Sequence, residues 1–107
     1  MAKIKPHAVL AALGDPTRRA IVEKLTLRPH SVSGLAAPLG VTLTAVAQHL
    51  AVLEDAGLVQ TEKVGRVRTA QLRPDGFNVL REWIDERRSL LERQIDQLAA
   101  LLDDEDK

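Results

Sequence analysis

Between residues 41 and 60 the chain reads VTLTAVAQHLAVLEDAGLVQ, and its apolar side chains return at the spacing of a helix. Leu43, Val46, Leu50 and Leu53 fall on one face at the 3.6-residue repeat. Thr42 precedes them as an N-cap, and Gly57 follows where a left-handed residue ends a helix and lets Leu58 fold back on Leu53. The same period is present upstream. Pro6 opens a short helix carrying Val9, Leu10 and Leu13, with Gly14 as its stop. Asp15 caps a second helix whose first residue is Pro16 and whose buried stripe is Ile21, Val22 and Leu25. RPHS at 28–31 reads as a connection, and Ser33 as the cap of a third helix, GLAAPLG, which Pro38 limits to about a turn and a half.

After Gly57 the period changes. In LVQTEKVGRVRTAQL, β-branched residues flank Gly65, which predicts a hairpin turning at Val64 to Arg66 with Lys63, Arg66 and Arg68 around its tip. Pro74 then opens a last helix from Phe77 to Leu102, about 39 Å long at 1.5 Å per residue. Its apolar line is Phe77, Leu80, Trp83, Ile84, Leu91, Ile95, Leu98 and Leu102. A body of about 70 residues cannot cover so long a helix, and a second copy of the chain is the commonest cover. That assigns a dimerisation surface to Trp83, Ile84, Leu91, Ile95, Leu98 and Leu102, joined by Val9 and Leu13 of the first helix. A helix that bends back or frays after residue 90 is the competing account.

Helices followed by a charged hairpin make the fold class mainly α with a small β-hairpin, a winged helix-turn-helix with a long C-terminal dimerisation helix. The expected organisation is a single domain over 1–107, with a core at 8–72, the dimerisation helix at 74–102 and a solvated tail at 103–107.

Composition narrows the chemistry. The absence of cysteine excludes disulfides, thiolate metal sites and cysteine redox sensing. Residues 1–72 hold nine Lys or Arg against five Asp or Glu, and residues 73–107 hold six against ten, so the front part can face a polyanion and the tail cannot. No apolar run suits a signal peptide or a membrane span, which points to a cytoplasmic chain without a membrane partner. There is no phosphate-binding glycine loop and no nucleophile motif, and Asp85 and Glu86 alternate with Arg87 and Arg88 as on a salt-bridged surface, so no enzyme is expected. Three scattered histidines lack ligand spacing; no metal and no cofactor are expected.

ALGDPTRRAIVEKL resembles the second-helix signature of the ArsR family of bacterial transcriptional repressors; AVAQHLAVLEDAGLV resembles the family's recognition helix and VGRVRTAQL its wing, over about residues 8–72. LREWIDERRSLLERQIDQLAALL resembles the C-terminal dimerisation helix of a metal-independent branch. The resemblance implies a homodimeric repressor that binds double-stranded operator DNA, often that of its own operon. The chain departs from the family where many relatives have Ser at Ala47, and Lys and Arg at Ala51 and Glu54, so two phosphate-facing charges are missing. SGLAAPL stands where metal-sensing members carry a cysteine pair, and residues 77–102 lack the histidine that other members place there.

On the fourth helix, Thr44, Ala45 and Gln48 project away from the buried stripe, in the N-terminal half that reads base edges. Gln48 suits adenine, Ala45 a thymine methyl, and Thr44 a base or a phosphate. Thr42 starts the same turn. His49, at the edge of the stripe, can donate to phosphate or pack half-buried, and the sequence leaves both open. Lys63, Arg66 and Arg68 suit the phosphate backbone or the minor groove, although charges on a hairpin also serve solubility. Of Arg18 and Arg19, one is expected to brace the fold through a carboxylate while the other reaches phosphate. Val52 points outward without an evident role beyond packing on another helix. Two rival readings stand beside the repressor: an interaction module that has lost DNA binding, favoured by Ala51 and Glu54, and a sensor binding metal through histidines and carboxylates.

Overall fold

The computed structural model describes residues 3–105, in the order α1 (Pro6–Ala12), α2 (Pro16–Leu27), β1 (His30–Ser31), α3 (Val32–Leu39), α4 (Leu43–Asp55), β2 (Val59–Val64), β3 (Val67–Leu72) and α5 (Pro74–Glu105). The caps expected for two helices are in place. Asp15 accepts the backbone N–H of Arg18 at 2.9 Å, and the Thr42 hydroxyl accepts that of Ala45 at 3.1 Å. Gly57 sits at φ +71°, and the N–H of Leu58 reaches the carbonyl of Leu53 at 3.0 Å, so the chain reverses on glycine and returns Leu58 to the core.

The 28–31 connection contains a strand. His30 and Ser31 pair antiparallel with Ala70 and Thr69, which makes the hairpin a three-stranded sheet of order β1-β3-β2. Two residues carry no period, so nothing in the sequence marks them. The cap of α3 is Ser31 rather than Ser33, accepting the N–H of Gly34 at 3.0 Å. The helix thus starts at Val32, which is buried, and runs eight residues with Pro38 inside it. The bond Pro38 forfeits is to the carbonyl of Gly34, in an exposed stretch where water can satisfy it. The last helix starts at Pro74 and reaches Glu105, beyond the expected end at Leu102 and through much of the presumed tail; Asp106 and Lys107 lie outside the described residues.

Val9, Ile21, Leu35, Val46, Leu53, Leu58 and Val59 are the largest fully buried side chains. At about 1.5–3 kcal/mol for each large apolar side chain, they dominate the stability of the body. Two expectations change here. Val9 is 0% exposed inside the chain's own core and offers nothing to a partner. Leu43 is 54% exposed rather than inward, because at the first turn of α4 it lies past the edge of the covered stripe.

Phe77, Val79 and Leu80 bring the start of α5 onto the core. The N–H of Gly76, which has no partner within its own first turn, donates to the carbonyl of Gly57 at 2.7 Å. Beyond that anchor α5 leaves the body. Its 32 residues span about 48 Å. The radius of gyration is 19.6 Å, against about 13 Å for a compact chain of this length.

Candidate nucleic-acid interface

The outer side of α4 carries Thr44 and Gln48 exposed and Ala45 half-buried. Its first turn has no acidic residue. The Thr42 hydroxyl accepts one bond and keeps its own proton free to donate. Next to this face stands the hairpin of β2 and β3, paired from Val59↔Leu72 to Val64↔Val67. Gly65 takes φ +63° while Arg66 keeps a negative φ, the signs of a type II′ turn, whose twist matches its strands. Lys63, Arg66 and Arg68 are all exposed around this tip.

Lys63 and Arg68 are direct cross-strand partners. Like charges so placed repel, and the hairpin carries that cost where an anion would relieve it. Arg68 donates to the hydroxyl of Thr61 at 2.8 Å. Thr61 in turn gives both its hydroxyl and its backbone N–H to Glu54 of α4, each at 2.7 Å. Glu54, which the family resemblance marks as a missing positive charge, is the brace between α4 and the wing. No sequence pattern announces a bond between residues seven apart on different elements.

His49 is half-buried. Its Nδ1 lies 3.4 Å from the Arg18 guanidinium and 4.0 Å from the Asp15 carboxylate, so this side of the ring faces α2. The N–H of Arg18 holds the Asp15 carboxyl below its usual range; partial burial opposes this, and the charges of Arg18 and His49 reinforce it. Arg18 and Arg19 divide differently from expectation. Arg18 donates from its side chain to the carbonyls of Ala12 at 2.6 Å and Ala11 at 3.2 Å, and Arg19 to that of Leu13 at 2.8 Å. Both donate to carbonyls at the C-terminal end of α1, where the Ala11 carbonyl also accepts the N–H of Gly14 at 3.1 Å. Val52 is exposed and borders a hollow that it shares with Ala8, Ala11 and Ala12 of α1.

Far from this face, Ile84, Leu91, Ile95, Leu98 and Leu102 are exposed along α5, and Leu90 and Leu101 widen the stripe. Trp83 is half-buried beside Ile4, Pro6 and Val79, with the Arg87 guanidinium 4.3 Å over its ring. Leu13 is packed against the core. Among the described residues no three His, Asp or Glu gather where they could hold a metal ion, and no single helix is long and apolar enough to cross a membrane.

A sequence profile described as a helix-turn-helix domain matches residues 13–62. The HTH-type transcriptional regulator Rv2034 of Mycobacterium tuberculosis is 46% identical over 80 residues, 75% of each chain. A crystal structure of an ArsR family transcriptional regulator superposes with a TM-score of 0.74 at 38% identity, covering 80% of this chain and 89% of that one. This chain belongs to the ArsR family. An ArsR-like regulator from Rhodococcus sp. RHA1 gives a TM-score of 0.79 at 30% identity, over 90% of this chain and 91% of that one. As an ArsR-family member the chain is a DNA-binding transcriptional regulator and not an enzyme. A homodimeric winged helix-turn-helix DNA-binding domain from Mycobacterium bovis, 24% identical with a TM-score of 0.62, shares the fold.

Proposed function

We propose that the chain is a cytoplasmic, homodimeric repressor that occupies an operator without a metal effector. One observation carries this reading: an acid-free, exposed first half of α4 adjoins a wing tip with three cations. In this reading Thr44, Ala45 and Gln48 meet base edges in the major groove, Thr42 meets phosphate, and Lys63, Arg66 and Arg68 engage the backbone or minor groove. The exposed stripe of α5, with Trp83 and Leu13 at its near end and Leu10 in place of Val9, joins two copies. The M. bovis domain, which is homodimeric, supports that assembly. Two-fold symmetry then requires a near-palindromic operator with half-sites about 34 Å apart. The lack of cysteine supports independence from thiolate-bound metals.

The test is a salt titration on operator and scrambled DNA. Gln48→Ala removes a base interaction worth about 1–3 kcal/mol and weakens operator binding while leaving scrambled DNA nearly unchanged. Arg66→Ala weakens both and lowers the slope of log affinity against log salt by about one unit for each phosphate it no longer neutralises. If both variants bind as the wild type does, the interaction-module reading replaces this one.

A further inference from the structure

Away from the Glu54–Thr61 brace, a groove of about 300 Å³ lies between the start of α4 and the hairpin tip, lined by Val32, Ser33, Leu43, Ala47, Arg66, Val67 and Arg68. The DNA-facing roles proposed for α4 and the wing tip leave the floor of this groove unused. Leu43 and Val67 are 54% and 51% exposed, so neither completes the core. The two charges in the lining are both positive. The nearest acid on α4, Glu54, belongs to the adjoining hollow and has an oxygen already held twice by Thr61. Arg68, shared by both hollows, is oriented by its bond to Thr61 before any ligand arrives.

We propose that this groove seats one sugar–phosphate strand of the DNA, with phosphate on Arg66 and Arg68 and deoxyribose against Leu43, Ala47 and Val67, so that it selects deoxyribose over ribose. The inference rests on the DNA reading above. If α4 enters the major groove and the wing tip the neighbouring minor groove, the strand between those grooves must cross the gap between α4 and the wing. The gap has the matching chemistry, cations for the phosphate and an apolar floor for the C–H face of the sugar. The 2′-hydroxyl is the group by which a protein distinguishes RNA from DNA at a given position. Against this floor a 2′-hydroxyl would lose water, and Leu43, Ala47 and Val67 carry no polar side-chain atom to replace it; Ser33, the one neutral polar side chain of the lining, is not part of the floor assigned to the sugar. A protein strand would also find the apolar floor, but the paired cations favour a polyanion.

The test uses full-length protein and a duplex that the wild type selects from a random-sequence pool, with single ribonucleotides placed in turn along each strand. One position per half-site should lose about tenfold in affinity, as expected for burying an unsatisfied hydroxyl. Val67→Ser should reduce that loss to about twofold by supplying a partner. Leu43→Ala should weaken operator and scrambled DNA alike with an unchanged salt slope, unlike Arg66→Ala. Both substituted residues are exposed, and an unchanged thermal melt verifies the fold. A wild type that binds the duplex but tolerates a ribonucleotide everywhere overturns this inference alone, as does a sensitivity that survives Val67→Ser. A wild type that recovers no duplex overturns the DNA reading and this inference with it.

Discussion

Gly76→Ala sets helix propensity against packing. Gly76 lies in the first turn of α5, and by propensity alone alanine in a helix is better than glycine by about 0.8–1 kcal/mol. The fold predicts the opposite sign. A Cβ on Gly76 would run into the carbonyl oxygen of Ala56 and lie 3.0 Å from the carbonyl carbon and oxygen of Gly57. These are backbone atoms of the turn that ends α4, so they cannot rotate aside. Overpacking of this kind costs about 1–3 kcal/mol. Moving α5 outward also stretches the 2.7 Å bond from Gly76 N–H to the Gly57 carbonyl, worth about 0.5–1.5 kcal/mol. The net is a destabilisation of about 1–3 kcal/mol, a fall in Tm of roughly 5–15 °C for a domain of this size. Thermal melts at matched protein concentration measure it, because the proposed dimer would make Tm depend on concentration. Asn78→Ala, two residues on and exposed, is the control and should raise Tm slightly, as propensity alone dictates. A Gly76→Ala melt equal to or above wild type would refute the close approach of α5 to the Gly57 turn.

Three further outcomes follow from named interactions. Glu54→Ala leaves the Thr61 N–H and hydroxyl without their acceptor and should cost about 1–3 kcal/mol, with faster amide exchange at Thr61; unchanged protection there would remove Glu54 as the brace of the wing. Asp15, whose folded pKa lies below the ordinary 3.8, contributes stability that is present above that value and lost as pH falls through the lowered one. Asp15→Asn keeps the cap oxygen and should flatten the acid side of a plot of Tm against pH, whereas an acid side as steep as wild type would show that Asp15 is not its source. The pair Leu91→Lys and Ile95→Lys, at positions 55% and 57% exposed, should yield monomers or unfolded chain by light scattering, and an intact dimer would move the interface off α5.

What the sequence discloses about this fold is local. Caps and stops such as Asp15, Pro16, Thr42, Gly57 and Pro74 act within a turn of their own position, so they are legible, and with them the type and order of the helices. The change of period after Gly57 exposes the wing. The strand His30–Ser31 is not legible, because it exists through pairing with Ala70 and Thr69 almost forty residues away. The site divides the same way. Thr44, Gln48 and Arg66 can be picked out as exposed from one helix face and one turn. The roles of Glu54, Arg18 and His49 depend on which element stands opposite each, and the family resemblance at Glu54 points to a missing DNA-facing charge where the structure has a brace for the wing.

Val9 and Leu10 show where periodicity stops and geometry begins. Both lie on the apolar side of α1, and a 3.6-residue repeat gives the width of that side without its direction. The direction is set by how α5 crosses α1, and α5 is fixed at its base by the Gly57–Gly76 bond and by the N–H of Arg73 on the Leu58 carbonyl at 2.9 Å. With α5 held there, Val9 turns fully into the core and Leu10 stays 43% exposed. The residue available to a partner is therefore chosen by two glycines nearly seventy and fifty residues downstream of α1. In the proposed dimer a change at Gly76 would therefore reach beyond stability: tilting α5 would re-aim Leu10 and the stripe from Ile84 to Leu102 together, and so alter the spacing of the two α4 helices without touching a residue proposed to meet DNA.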